Sequence, residues 1–210
     1  DAVIVSDPGI IRIARMQVPD LPVHISTQAN STNWSTVQFW KDMGCERIVL
    51  ARELTLPEIQ EIHDKVDVEL ETFVHGAMCI SYSGRCLMSA YLTGRSANAG
   101  WCSHSCRWNF NLSGNNDFLT EPLTNEEARA IAQSGKLFIT EHERPNEHFP
   151  IFEGDDFTAI LSSKDLCMVD HLDKMKEAGV DSLKIEGRMK SLYYVAMTVR
   201  AYRKAIDSYY

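Results

Sequence analysis

The sequence predicts an α/β fold built of parallel βαβ units, on three observations. Strand-like and helix-like segments alternate with short links through residue 74. The alternation stops between residues 75 and 156, a stretch that carries four of the six cysteines. It then resumes to the end of the chain. About five βα units are too few to close an eight-stranded barrel, so the expected architecture is the C-terminal part of a TIM-like barrel with a cysteine-rich insertion after the fourth strand. An open, doubly wound sheet is the competing arrangement. One partial barrel domain over 1–210, with 75–156 as the insertion, is the expected organisation.

The elements follow in order. AVIVSD (2–7) reads as a strand and IIRIARM (10–16) as a short helix. PVHIST (22–27) is the next strand, and Asn30–Ser31 open a helix over Thr32–Met43 that Gly44 ends. ERIVLA (46–51) is the third strand. ELTLPEIQEIHDKV (53–66) is a helix with Thr55 as N-cap and Pro57 in its first turn. Asp67–Val74 is the fourth strand. In the insertion one helix is expected, Thr124–Gln133, and Glu141–Gly154 reads as loop from its Pro, His and Glu content. FTAILSS (157–163) is a strand, Met168–Ala178 a helix closed by Gly179, DSLKIEG (181–187) a buried-type strand and Ser191–Tyr210 a long amphipathic helix. Because DAVIVSD already reads as a core strand, the natural N-terminus is expected upstream. Uncovered parallel edges would then favour self-association or a covering partner.

Composition narrows function. The apolar fraction is 44% and the net charge −8. An acidic chain argues against a binder that relies on one large basic field, though not against a local basic patch. No run reaches the ~18 apolar residues that span a bilayer, and no secretory leader pattern opens the chain, so no membrane partner and a cytoplasmic location are expected.

Cys79 and Cys86 sit in CISYSGRC, and Cys102 and Cys106 in CSHSC, directly after the fourth strand. On a barrel that is the face where catalytic loops gather. Thiolates are soft, anionic ligands, and four in one loop segment point to a metal centre. Spacing leaves zinc and iron–sulfur both open, with His75 and His104 as possible completions of a mixed zinc site. Buried thiols and disulfides are the blander alternatives. Cys45, just before a strand, reads as core.

ETFVHGAMCISYSGRCLMS (71–89) resembles the signature of peptidase family U32 at Glu71, Phe73, Gly76, Ala77, Cys79, Gly84, Cys86, Met88 and Ser89. SDPGI, HISTQAN, LARELTL, CRW, RPNEHFPI, LSSKDLC and KIEGRMKS look like the same family and carry the resemblance over nearly the whole chain. Some members are described as collagenase-like peptidases. Others carry a [4Fe–4S] cluster and take part in hydroxylation, either of a tRNA wobble uridine with prephenate or of ubiquinone precursors. The layout is similar to the tRNA branch. The resemblance therefore implies cluster ligands at Cys79, Cys86, Cys102 and Cys106, with Cys167 the alternative to Cys106, because in some members the fourth ligand lies further along the chain.

Polar residues at strand ends form the second constellation: His24, Arg52, Glu71, His75, Lys184, Glu186 and Arg188, together with Ser26, Gln28, Asn30 and Glu53. Parallel strands bring such residues to one mouth, where acids, bases and cations can act together. Arg52, Lys184 and Arg188 suit a dicarboxylate or phosphate, and prephenate is a dicarboxylate. Structural ion pairs, Arg52–Glu186 for one, are the alternative.

Peptidase chemistry lacks GxSxG and HExxH. A Cys79–His75 dyad or a zinc-activated water would have to supply it. On the C-terminal helix, Tyr194, Met197, Ala201 and Ile206 read as an apolar stripe. Arg200, Arg203 and Lys204, with Arg188 and Lys190, form a basic run suited to a solvated face or an RNA phosphate track. Trp101, Trp108 and Phe110 could stack on bases or cover the loop. Three functions follow: Fe–S-dependent hydroxylation of a tRNA wobble uridine; a metal- or cysteine-dependent collagenase-like peptidase acting on peptides; and a non-catalytic, metal-stabilised subunit of a larger complex, with tRNA, a second U32-family subunit or a second copy of the chain as the candidate partners.

Overall fold

The computed structural model describes residues 2–97, 99–108, 126, 138–141, 144–153, 158–160 and 165–209, with backbone alone between 138 and 160. The chain divides into two compact units, Asp1–Ser103 with Lys164–Tyr210, and His104–Ser163.

The first unit opens with the expected alternation: β1 (Val3–Val5), α1 (Pro8–Gln17), β2 (Val23–Ile25), α2 (Trp34–Asp42), β3 (Arg47–Val49), α3 (Leu56–Lys65) and β4 (Glu69–Gly76). Local chemistry sets the helix starts. Asp7 accepts the Ile10 N–H at 2.9 Å, with Pro8 in the first turn. Asn33 accepts from Thr36, so α2 starts there and not at Asn30–Ser31. Glu58 takes both the N–H and the hydroxyl of Thr55 at 2.7 Å, which closes the first turn of α3. The loop after β4 carries one short helix, α4 (Met88–Thr93).

The second unit holds an antiparallel sheet, β5 (Phe138–Glu141), β6 (Arg144–Glu153) and β7 (Thr158–Ile160), in the order β5-β6-β7. Two expectations change here. The segment read as loop, Glu141–Gly154, contains a ten-residue strand. Its Pro and Glu content suggested a loop, but pairing on both sides outweighs that propensity. FTAILSS does not join the parallel sheet, since Thr158–Ile160 pairs antiparallel with β6. A short apolar run does not say which sheet it enters. The helix expected over Thr124–Gln133 lies outside the described residues except for Glu126.

The chain returns to the first unit through β8 (Leu166–Cys167), α5 (Leu172–Glu177), β9 (Ser182–Ile185) and α6 (Leu192–Tyr209). Strands β1-β2-β3-β4-β9 run parallel, in register Val3↔Val23, Ile25↔Ile48, Ile48↔Leu70 and Thr72↔Leu183. The two-residue β8 pairs antiparallel with the end of β4.

One face of this sheet is the core. Val23, Ile25, Ile48, Leu50 and Leu70 pack with Ile11 of α1, Val37 and Trp40 of α2, Ile59 and Ile62 of α3, and Ala178 after α5. Val74, Leu183 and Ile185 pack with Met175 of α5 and Tyr202 of α6. By strand alternation the opposite face carries His24, Arg47, Glu69, Glu71, Phe73 and Lys184. The helices thus gather on one side, whereas a doubly wound sheet needs them on both.

The stripe expected on α6 is displaced. Thr198 and Tyr202 are its buried positions, while Met197 and Ala201 face outward. Tyr202 explains the shift. Its hydroxyl donates to the Val74 carbonyl at 2.7 Å and accepts the Met168 N–H at 3.0 Å, tying three segments together. Burial pushes this phenol from 10.0 up to about 12, against the opposing Met168 N–H. The neutral phenol is therefore favoured in the folded chain. The unfolded chain releases its proton first, so this contribution is complete below pH 10 and lost between pH 10 and about 12. Tyr202→Phe removes the hydroxyl's bonds to the Val74 carbonyl and the Met168 N–H, which keep their own bond to each other at 3.0 Å, and costs about 0.5–1.5 kcal/mol in urea unfolding. The part of the alkaline fall due to Tyr202 disappears with it.

Candidate metal centre at the strand ends

Gly76 ends β4 at φ +105, hard against the Glu186 carbonyl, and the chain turns across the carboxyl ends of the strands. Cys79 follows. The turn containing Gly84 (φ +75) presses on the Gln28 backbone after β2. Ser83 beside it donates its N–H to Glu53 at 2.7 Å. Its hydroxyl meets that of Thr27 at 3.3 Å, and Thr27 bonds the Leu50 carbonyl at 3.2 Å. These bonds pin the Cys79–Cys86 turn to the ends of β2 and β3.

A second set of hydroxyls places Cys102. Ser89, at the start of α4, is fully buried. It accepts the Ser103 N–H at 3.0 Å, meets the Ser103 hydroxyl at 2.9 Å and donates to the Arg95 carbonyl at 2.8 Å. Thr93 donates to the Ser89 carbonyl at 2.6 Å. The residue after Cys102 is thereby locked to α4, which gives the signature serine a physical role.

Arg52 comes within electrostatic reach of Cys79 and Cys102, and Cys79 within reach of Cys86 and Cys102. Burial pushes the Cys79 thiol up; the Ser81 N–H and Arg52 pull it down, while Cys86 and Cys102 add to the rise. Burial lowers the Arg52 pKa, while Glu186, Cys79, Glu53 and Cys102 act to hold its charge. The Arg52 guanidinium lies over the Phe73 ring at 3.7 Å and pairs with Glu186 at 3.6 Å. Cys79 interacts with both other thiols and with the half-buried Arg52 cation, a setting in which the charge of a thiolate-held group would be offset. Among the described residues no three His, Cys, Asp or Glu side chains close on one point as a single ion would require, and no cysteine is in a disulfide.

The other cysteines stand apart in role. Cys106 belongs to the second unit, in the 3₁₀ turn Ser105–Arg107 after His104, whose φ is +53. Cys167 is exposed on β8 as the cross-strand partner of His75, and it bonds Tyr202. Cys45 lies in the core as expected, where burial pushes its thiol up.

The strand-end residues separate into groups. Arg52 and Glu186 meet as an ion pair. Glu71 and Lys184 meet at 2.7 Å on the open sheet face, joined by Ser182 at 2.9 Å and Arg47 at 3.5 Å. Burial raises the Glu71 carboxyl, but Lys184, Ser182 and Arg47 outweigh it and hold the group below its usual range. His24 sits in mid-strand between Ile4 and Arg47. His75 leaves the mouth: the β4 register shifts between Phe73 and His75, and its ring lies 5.9 Å from Tyr194 and 5.5 Å from Tyr202. Arg188 is exposed, its N–H on the Glu186 carboxylate at 3.0 Å. Arg47, Ser182 and Ser83 were not singled out from sequence, and Phe73 only as part of the family signature. Arg47 could have been, since the alternation of ERIVLA puts a charge in mid-strand. Trp101 and, in the second unit, Trp108 are exposed, while Phe110 lies outside the described residues.

Helices wound on one side of a parallel sheet, with a cysteine-bearing loop and a half-buried guanidinium across its strand ends, define the class: an α/β protein with a cysteine-rich loop over its strand ends. The sequence pattern of Peptidase family U32 matches residues 1–210, and the chain belongs to that family. Among its relatives, tRNA hydroxylation protein P of Escherichia coli (strain K12) is 46% identical, over 99% of this chain and 49% of the relative. tRNA hydroxylation protein P1 of Bacillus subtilis (strain 168) is 44% identical, over 99% and 42%. A 23S rRNA 5-hydroxycytidine synthase of Escherichia coli (strain K12) is 35% identical, over 99% and 26%. The chain spans about half the length of the tRNA hydroxylation proteins it matches, or less. No helix among the described residues is long and apolar enough to cross a membrane.

Proposed function

We propose that this chain carries the thiolate site of a protein that hydroxylates a tRNA wobble uridine in the cytoplasm. The observation that carries the reading is the loop of Cys79, Cys86 and Cys102 seated over the strand ends, with Arg52 in electrostatic reach of Cys79 and Cys102. The relatives named for tRNA hydroxylation supply the RNA. Cys79, Cys86 and Cys102 would hold a [4Fe–4S] cluster, with Cys106 or Cys167 as the fourth thiolate. Cys167 sits on β8, paired with the end of β4 that launches the loop, but its thiol bonds Tyr202 and would have to leave it to serve. Such a cluster supplies one-electron chemistry when bound. Zinc is the alternative occupant of the same thiolates.

The residues around the thiols have distinct work. Arg52 offsets thiolate charge, and Phe73 and Glu186 hold it in place. Glu186 is thereby a positioning residue. Glu71 and Lys184 hold each other on the open face. Arg188 is the exposed cation at the mouth suited to a carboxylate of prephenate as co-substrate. One-sided winding and the polar open face support the sheet as part of a TIM-like barrel whose interior that face would line.

The test uses a strain lacking the gene, complemented with wild type or Cys102→Ser, and mass spectrometry of nucleosides from purified tRNA and rRNA. Hydroxylated uridine is expected to vanish from tRNA on deletion and to return only with the wild type. Loss of a hydroxylated cytidine from rRNA instead would move the substrate to rRNA. Unchanged RNA, together with gelatin cleavage by the purified protein, would overturn the reading in favour of a peptidase.

A further inference from the structure

Beside the cysteine loop a cavity of about 420 Å³ opens between the segments after β2 and β3, the first turn of α3 and the turn joining Cys79 to Cys86. Its wall includes Asn30, Thr32, Glu53, Glu58, Tyr82 and Arg85. We propose that it grips one nucleotide of an RNA strand, with the base on Tyr82, the ribose hydroxyls toward Glu53 and Glu58 and a phosphate on Arg85. The proposal rests on the RNA reading above and adds where that RNA is held.

Four observations point to such a ligand. The cavity falls within the ~300–1,000 Å³ typical of small-ligand sites. Tyr82 is 69% exposed, although it sits in a turn fixed by hydrogen bonds on both sides, so its ring offers a preset stacking surface. Arg85 is exposed, and among the described residues its guanidinium has no ion pair. Asn30 is held left-handed at φ 55 by its N–H to Thr27, and its side-chain oxygen is buried without a hydrogen-bond partner. A buried acceptor lacks a donor only at a cost, and the ring N–H of a uracil supplies one.

The acids decide the class of ligand. Glu53 is anchored by Ser83 and Glu58 by Thr55, both at 2.7 Å, so each presents its remaining lone pairs in a fixed direction. The backbone and hydroxyl bonds from Thr55 also hold the Glu58 carboxyl below its usual range. Two carboxylates against one guanidinium repel a dicarboxylate such as prephenate. They suit a neutral base and a ribose carrying one phosphate. Carboxylates facing the sugar also favour RNA over DNA, because only RNA offers the 2′-hydroxyl.

The experiment measures binding of a fluorescein-labelled anticodon stem–loop RNA, with uridine at the first anticodon position, to the full-length protein by anisotropy. The variants are Tyr82→Ala, Arg85→Ala and Asn30→Gly. Glycine keeps the left-handed backbone and removes only the amide. Tyr82→Ala and Arg85→Ala are expected to weaken binding about tenfold or more, Asn30→Gly several-fold, and a DNA stem–loop of the same sequence to bind about tenfold more weakly than RNA. Iron content, measured in parallel, reports whether the loop is intact. If Tyr82→Ala or Arg85→Ala loses iron, Asn30→Gly alone decides, since it lies outside that loop. Wild-type binding that Asn30→Gly and an iron-replete Arg85→Ala leave within twofold overturns this site and leaves the RNA reading standing. Failure of the wild type to bind the stem–loop overturns both.

Discussion

Full-length protein with Cys79, Cys86 or Cys102 changed to Ser, purified without oxygen, binds less than about one tenth of the wild-type iron and loses the broad visible absorption of an iron–sulfur group. A serine hydroxyl has nearly the size of the thiol but is harder and stays protonated at neutral pH, so it removes the ligand with little change in packing. The three positions are expected to behave alike because one loop carries them, pinned through Ser83 to the strand ends and through Ser89 to its own short helix. One of Cys106→Ser and Cys167→Ser is expected to join them, and the one that does names the fourth ligand. Full iron retention in all three single variants sinks the assignment. Stoichiometric zinc without colour, lost in the same variants, keeps the site and changes its occupant.

The second large effect comes from a residue that touches no metal. Gly84→Ala places a methyl group into the Gln28 backbone at φ +75. Left-handed strain costs about 1–3 kcal/mol and a clash with backbone a similar amount. The sum, about 2–6 kcal/mol, is a large share of the ~5–15 kcal/mol that holds a domain together. The loop escapes most of that cost by lifting off β2, breaking the Ser83–Glu53 and Ser83–Thr27 bonds. The expected result is therefore loss of iron with a modest fall in melting temperature. Gly100→Ala is the control. It has a similar φ of +83 with nothing within 4 Å of the added carbon, so it carries the strain without the clash. Equal iron in both variants would show that the loop does not depend on its seat against β2.

Much of this arrangement is legible in the sequence because it rests on local chemistry. Thr55 and Pro57 mark the start of α3, and apolar runs bounded by turn residues mark β1 to β4. The spacing of CISYSGRC puts thiols at a strand end. What escapes is set by tertiary partners. RPNEHFPIFE becomes a strand because β5 and β7 flank it, which no window of ten residues reveals. His75 looks like a mouth residue until the shift after Phe73 turns it toward Tyr194 and Tyr202. The α6 stripe is misread because a hydroxyl pair, Thr198 and Tyr202, is buried where apolar residues were sought. Arg52–Glu186, in contrast, was foreseeable as an ion pair. Its electrostatic reach to Cys79 and Cys102 was not.

Neighbouring strands β4 and β9 are far apart along the chain. Ser182 reaches Glu71 across 111 residues. The entropy of closing so long an excursion rises only with the logarithm of its length, and doubling it costs about 0.6 kcal/mol more. The stretch between the two strands can therefore lengthen or shorten during evolution with little penalty to the sheet. The order of assembly carries the burden instead. A nascent chain can form β1 to β4 as they emerge, but the seam with β9 must wait for more than a hundred further residues, and until then the β4 edge stays open to wrong partners.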